Sequence, residues 1–533
     1  MKSVPRVLGK ATFSQSVITA KKIQPLRALT DGMEETSRFK SLQRSFKYQF
    51  EHAFPDRLAH KTIVVVPSLT LDPEMLDKLT GHIYYEERML CLLMLLRMPN
   101  THVTYITSIP IDQVIIDYYL HLLPGITGYH AMQRLTMLSC FDSSPLCLTD
   151  KILQRKRLLK RIRQTIPADH AAHLVCFNVT ASEKKLALAL GIPVYGCDPE
   201  LYRLGTKSGS RKIFKTVGVN TPEGRENLYT KQDITDSLFE LKIADPLLKK
   251  AVIKLNDGFS GDGNAIFNYD NLVIEKDLKK NIAESFDSNL KIIAQNINSG
   301  LFLEKFAGGG GIVEAFIEGN IKTSPSVQCR INPLNEVDII STHDQMLEGD
   351  EYQVFTGATF PANNEYAADL ACLSTKIARE LASYGVLGRF SIDFISVKEG
   401  NQWKHYAIEI NLRKGGTTHP YLMLQFLTDG SYNAKTGKFF TATGQERFYF
   451  ATDNIIMESC KGLIPADLID IATVHDLLYD GTRQEGVMFH MISALSQYGK
   501  VGVVCIGKSP EAAKQFFNKT LEILEIEGTK IFC

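Results

Sequence analysis

The segment Ala407-Ile408-Glu409-Ile410-Asn411-Leu412-Arg413 constrains this chain more than any other. On a strand, side chains alternate between faces, so Glu409, Asn411 and Arg413 line one side and Ile408, Ile410 and Leu412 the other. A carboxylate, a carboxamide and a guanidinium on one face make a poor core. They make a good platform for magnesium and phosphate. Upstream, Phe390-Ser391-Ile392-Asp393-Phe394-Ile395 reads as a neighbouring strand, joined through a Gly400-Asn401 turn that brings Asp393 beside Glu409. The competing reading is an edge strand with a solvated face; the platform reading points to a nucleoside triphosphate.

Composition sets the frame. The 533 residues are 44% hydrophobic, enough for several cores, and the length suggests roughly three or four domains. Sixty basic residues against fifty-nine acidic leave a net charge of +1. That gives no global field for nucleic acid or an anionic membrane, so any anion site is local. The ten cysteines form no CxxC pair and read as reduced thiols of a cytoplasmic protein. The longest apolar run, Met89 to Leu96, is far too short to span a bilayer, and no secretory signal is expected. The first thirty residues carry Lys2, Arg6, Lys10, Lys21, Lys22 and Arg27 and no acid before Asp31, the composition of either a transit peptide or a plain tail.

Residues 1–55 lack a clean hydrophobic period and are read as an extension. A first unit, 56–198, carries strand signals at Ile63–Val66, Val103–Ile106, Leu174–Phe177 and Ile192–Tyr195, with a long helix from Pro73 to Met98. Strands alternating with helices predict a parallel α/β layer. Between them, 151–163 holds seven basic residues, read as an amphipathic helix with either a solvated basic face or a docking face for an acidic partner. A second unit spans 199–432, with helices expected at 208–217, 276–288 and 364–384 and strands at Ala251–Leu255, Gly311–Ile317 and Ser326–Ile331. A third, 433–533, has a helix expected near 485–498, a strand at Val501–Ile506 and a helix from Pro510 to Leu524.

Within the second unit, Ala251-Val252-Ile253-Lys254-Leu255 runs into a loop holding Gly258, Ser260, Gly261 and Gly263. Glycines let backbone N–H groups turn toward phosphate oxygens, and Lys254 adds a point charge below. The GxxxxGK[ST] pattern is absent, and a simple hairpin turn is the competing reading. Further upstream, Lys207 opens a helix whose N-terminus suits a phosphate. After the loop, Glu314, Ala315, Phe316 and Ile317 place an acid before a hydrophobic hinge, where backbone groups meet an adenine edge.

In this order, these elements resemble the ATP-grasp superfamily over residues 200–430. The resemblance implies that Lys207 and Lys254 contact ATP phosphates, that Gly258 to Gly263 form a mobile lid, and that Glu314 to Ile317 supply the adenine hinge. It implies that Asp393, Glu409 and Asn411 hold two magnesium ions with Glu409 bridging, and that Arg413 steadies the transferred phosphate or acyl group. Arg389 and Arg330 are additional cations with weaker matches. The unit at 56–198 looks like the pre-ATP-grasp domain, and Gly486–Met491 with Gly499–Gly502 looks like the C-terminal domain of the pheganomycin-type peptide ligases. The implied architecture is a Rossmann-like parallel sheet, a two-lobed ATP-grasp fold and a small α/β C-terminal domain. The implied activity is ATP-dependent joining of a carboxylate donor to an amine acceptor, with a homodimer by family analogy. The rival is an ATP-binding regulatory or scaffold protein that keeps the fold. Related animal proteins bear an IQ motif; here Ile23-Gln24 begins one, but the following Arg-Gly is missing, so calmodulin binding is not carried over.

His419 is read as lining the acceptor pocket or as a structural loop residue, His343 and Gln345 as a solvated turn or part of the same cavity, and His490 as a core histidine.

Overall fold

The computed structural model describes residues 25–71, 73–258, 263–270, 272, 277–293, 298–348 and 354–530. Ile23 and Gln24, most of the basic N-terminal segment, Ser260 and Gly261 lie outside the described residues.

β1 (Lys61–Val66), β2 (Thr101–Thr107), β3 (Leu135–Ser139) and β4 (Ala171–Cys176) form the expected parallel sheet in the order β3-β2-β1-β4. β1 is buried along its whole length, which explains its unbroken apolar run. The fourth expected strand is reduced to a single bridge, Leu174 to Val194. The long helix expected from Pro73 becomes helix Pro73–Lys78 and a 3-10 helix His82–Arg97. Residues read as an extension contain helix Pro25–His52 instead. Phe39 and Phe46, two helical turns apart, are 0% exposed. Phe46 packs on His173 and Tyr195, and each buried ring contributes about 2–3 kcal/mol, enough to dock a helix whose polar composition hid it. The basic segment folds as helix Lys156–Gln164, with Leu158 and Ile162 buried and Lys156, Arg157, Lys160, Arg161 and Arg163 exposed.

A five-stranded sheet builds the smaller lobe, in the order β5 (Gly224–Leu228), β9 (Gly311–Ala315), β6 (Lys250–Leu255), β7 (Asn264–Asn268) and β8 (Leu290–Ile292). It has its own core, including Ile234, Leu238, Phe267, Phe302 and Phe306. The larger lobe is a nine-stranded sheet. Its members are β10 (Lys322–Thr323), β11 (Pro325–Ile331), β12 (Val337–Glu348), β13 (Val354–Phe360), β14 (Gly388–Glu399) and β15 (Gln402–Asn411). After a small β16–β17 hairpin (Ser431–Asn433, Lys438–Phe440), the same sheet continues as β18 (Phe448–Ile456), β20 (Lys500–Gly507) and β19 (Gly486–His490). The helix expected near 485 to 498 is therefore strand β19 followed by the short helix Ala494–Tyr498. Residues 487–489 are buried on both faces, so they carry no strand alternation to read.

Helix Ala367–Ser383 packs on one face of β11 and β12 through Leu370, Ile377 and Leu381, in a core shared with Ile392 and Phe394 of β14. The opposite face of those strands is polar and carries the candidate site.

Candidate active site

β11, β14 and β15 pair antiparallel, with Ser326 opposite Asp393, Asp393 opposite Glu409, and Ser391 opposite Asn411. Asp393, Glu409 and Asn411 thus lie together across two hydrogen-bonded strands. A β-bulge between Asp393 and Phe394 leaves Ile408 as the extra residue on β15. The slip explains why Ala407 and Ile410, rather than Ile408 and Ile410, share the core face. Asn411 Nδ2 donates to Asp393 Oδ2 at 2.9 Å, Ser326 Oγ donates to Asp393 Oδ1 at 2.6 Å, and Gln345 Nε2 donates to the same oxygen at 3.2 Å. Burial, then the charge of Glu409, pushes the Asp393 carboxyl up to about 6.

Helix Lys207–Thr216 aims its first turn at this platform. Thr206 caps it, its Oγ1 accepting from Gly209 N–H at 3.1 Å. A Cβ on Gly209 would lie 1.9 Å from the Arg203 carbonyl oxygen, so only glycine allows this turn to close. Asn256, just beyond β6, ties the helix start to the smaller lobe by accepting from Ser208 N–H at 3.0 Å. Lys207 Nζ then donates to Glu409 Oε1 at 2.5 Å. Arg413, half-buried beyond the end of β15, stands beside Glu409 and Asp393, and burial lowers its pKa.

Lys254 on β6 ion-pairs with Glu314 on β9. Glu314 is 2% exposed and also accepts from Arg211 Nη1 at 3.0 Å. Its side chain is therefore committed to two cations, while Ala315, Phe316 and Ile317 lie half-buried at the end of β9. Phe316 N–H donates to the Lys250 carbonyl, and the Lys250 and Lys322 ammonium groups sit over the Phe316 ring. Gly258 and Gly263 stand against each other at the two ends of the loop, and Leu255 N–H donates to Gly263 O at 2.8 Å.

Arg389 and Arg330 face each other across β14 and β11, on the same sheet face as Asp393 but four residues along, about 13 Å from it. Arg330 Nη2 bonds Asp338 at 2.6 Å. His343 is neither solvated nor in a turn: it is 0% exposed in β12 and pairs with Tyr449 Oη at 2.7 Å. His419 and His490, both buried, meet Nε2 to Nε2 at 3.0 Å. Burial pushes His490 down to about 4 and holds His419 well below the usual histidine range.

Arg211, Asn256, Ser326 and Lys414 belong to this constellation and were not anticipated. Arg211 was within reach of sequence reasoning, since it lies one helical turn after Lys207 on the same face. Ser326 was too, as the alternating partner of Gln328 and Arg330.

The group that this site would hold must satisfy paired acids and several cations together. Two carboxylates and a carboxamide fit a hard divalent cation with oxygen ligands. The described residues contain no cluster of three His, Cys, Asp or Glu that would close a metal site alone. Magnesium, which keeps waters and takes phosphate oxygens, is a cation of the kind two carboxylates and a carboxamide would hold.

Two lobes flanking a polar sheet face, with Lys254 from the smaller lobe, Lys207 from a helix packed on β15 and paired acids from the larger lobe, define an ATP-grasp architecture. Residues 199–299 and 298–435 match the family described as IQCH-like, ATP-grasp, and residues 467–519 match the PGM1 C-terminal domain. The L-propargylglycine--L-glutamate ligase of Streptantibioticus cattleyicolor is 27% identical over 461 residues, 85% of this chain and 92% of that protein. The IQ motif-containing protein H of Danio rerio is 23% identical over 549 residues, 92% of this chain but 52% of that protein, so the chain spans about half its length. The biotin carboxylase domain of Hydrogenobacter thermophilus 2-oxoglutarate carboxylase, solved with MgADP, ADP and bicarbonate, shares the fold. Its TM-score is 0.51 at 12% identity, covering 87% of this chain and 90% of that one. Residues 199–435 match the ATP-grasp family, and the fold around them is that of the ATP-grasp proteins.

Among the described residues, no helix is long and apolar enough to cross a membrane.

Proposed function

We propose that the chain is an ATP-dependent carboxylate-amine ligase, peptide-forming, that works through an acylphosphate and releases ADP and phosphate. The observation that carries this reading is the Asp393–Glu409 pair with Lys207 Nζ 2.5 Å from Glu409. It is an anionic platform with a cation already parked on it. The full-length relative, named as a ligase of two amino acids, supports the substrate class.

A carboxylate approaching the γ-phosphate meets like charge. At about 3.5 Å and an effective dielectric near 20, each pair of unit charges costs about 5 kcal/mol. Lys207, Lys254 and Arg413 counter this repulsion, and positioning with electrostatics is how phosphoryl transfer is generally catalysed. Magnesium, two ions held by Asp393, Glu409 and Asn411, would neutralise the phosphate oxygens. Lys207 then turns from Glu409 to the phosphates, Lys254 is aimed by Glu314, and Ala315 to Ile317 take the adenine edge. A donor carboxylate oxygen bonds to the γ-phosphorus as the bond to the β-phosphate oxygen breaks and ADP leaves. The amine attacks the acyl carbon, phosphate departs with its oxygen, and the nitrogen loses a proton. The glycine-rich segment from Gly258 to Gly263, which includes Ser260 and Gly261, is proposed to exclude water from the acylphosphate. The nine described cysteines are free thiols, which supports a reducing, cytoplasmic setting.

The test is ADP release with magnesium and ATP against pooled amino acids and short peptides, followed by mass spectrometry. ADP together with a new amide mass is expected, and Glu409→Gln should lower turnover by at least about a hundredfold without unfolding the chain. Wild-type turnover in that variant would remove Glu409 from the mechanism.

A further inference from the structure

The polar sheet face does not end at the metal platform. Going from Asp393 toward the start of β14, the same face presents Ser391 and then Arg389, with Gln328 and Arg330 beside them on β11. Tyr195 is brought here by a close approach of two backbones: a Cβ on Gly388, which has φ +100°, would lie 2.8 Å from Gly196 Cα. Lys414 closes the far side, its Nζ donating to Cys176 O at 2.5 Å.

Two polar atoms in this pocket are shielded from solvent and have no hydrogen-bond partner among the described residues: Arg389 Nη1 and Tyr195 Oη. The acid that faces the pocket, Asp338, is already engaged by Arg330 Nε and Nη2. Arg330 and Asp338 are themselves 36% and 45% exposed, so they form a mouth, with Arg389 behind it. Shielding a guanidinium beside a second guanidinium and a lysine, with a donor and a neighbouring hydroxyl both unused, is unfavourable unless an anion completes the set. A carboxylate matches a guanidinium fork plus a phenolic hydroxyl. Burial, and the neighbouring Arg330, push Arg389 down to about 10, in keeping with this arrangement.

We propose that Arg389, Arg330 and the Tyr195 hydroxyl form a subsite for a second carboxylate of the substrate. The chain then acts on a molecule with two acidic groups, one reacting at the Asp393–Glu409 platform and the other anchored about 13 Å along the strand face. The inference rests on the ligase reading for the first group only. The subsite sets which acids are accepted and holds them in register with the γ-phosphate.

The experiment uses the full chain with magnesium and a non-hydrolysable ATP analogue, and titrates glutarate, L-glutamate and glutamate-terminated dipeptides, each beside its monoamide. At least one free diacid should bind about tenfold or more tightly than its monoamide, the loss expected for one charge-assisted pair. Arg389→Met should remove that preference and Arg389→Lys should keep part of it. Without ligand, Arg389→Met should melt at the same temperature as the wild type or higher, because it removes an uncompensated charge. Equal binding of diacids and monoamides, no binding by any member, or an unchanged preference in Arg389→Met would each overturn the subsite. So would a melting temperature several degrees lower in that variant, which would make Arg389 structural. Diacid preference without ADP formation from ATP would leave the subsite standing and count against the ligase reading; ADP formation without preference would do the reverse.

Discussion

At the scale of single residues, the site is a set of cations resting on acids. Lys207 lies on Glu409, and Lys254 and Arg211 share Glu314. Substrate binding on this account is an exchange of partners at Lys207, in which phosphate oxygens replace Glu409, while Glu314 keeps Lys254 aimed. Arg413 stands beside both Glu409 and Asp393, at the proposed point of phosphoryl transfer. Arg413→Ala should therefore leave ATP affinity within a few-fold while lowering turnover about a hundred- to a thousandfold, measured by nucleotide titration beside steady-state kinetics. A fall in affinity with turnover unchanged would make Arg413 a nucleotide ligand. Glu314 differs because its loss strands two buried cations. Glu314→Ala should cost about 3–5 kcal/mol in denaturant unfolding and raise the KM for ATP, since Lys254 loses its orientation. A variant as stable as the wild type would show that the pair is not needed to hold the lobe together.

At the scale of elements, the C-terminal strands meet the first unit through the 3-10 helix His82–Arg97. Ser493 N–H donates to Glu87 Oε2 at 3.3 Å, and Arg88 ion-pairs with Asp453 at 3.1 Å. Burial pushes the Glu87 carboxyl up from its ordinary 4.5 to about 7. With the folded pKa above the unfolded one, the folded state holds the extra proton between those values. The stabilisation is full below about 4.5 and is lost as pH rises through about 7, amounting to roughly 3 kcal/mol for one such group. Melting temperature should accordingly fall across that window, and Glu87→Gln should flatten the fall. An equal slope in the variant would assign the dependence elsewhere.

Elements with a clear apolar pattern were legible in the sequence. β6 shows as a short apolar run, and β11, β14, β15 and helices Lys207–Thr216 and Ala367–Ser383 through alternation or helical period, each overlapping its expected position. β12, β13 and β18 were missed. β12 runs Val337–Glu348 with the polar residues Ser341, Thr342 and His343 all buried, so its pattern reads as a loop. The bulge at Ile408 was invisible because a slipped register leaves no mark in composition. The platform residues themselves were legible because acids and amides at alternating positions conflict with core packing, whereas Tyr195 and Lys414 reach the site only through the tertiary fold.

For the molecule as a whole, the sheet's continuity matters most. One core includes β1 residues Ile63 and Val65, the 3-10 helix residues Leu90 to Leu96, and Val487, Val503 and Ile506 of the last strands. The smaller lobe keeps a separate core. Hydrogen exchange should therefore place β18, β19 and β20 in one protection class with β11 to β14, while β6, β7 and β9 exchange sooner and slow on nucleotide binding. Uniform protection across both lobes would contradict a clamp that opens. The central claim is that ATP activates a carboxylate on the Asp393–Glu409 platform, and its most direct test follows an oxygen atom. With a donor carboxylate labelled with oxygen-18, the account predicts that one labelled oxygen per amide formed appears in inorganic phosphate, alongside ADP. Unlabelled phosphate, or release of AMP and pyrophosphate, would contradict it.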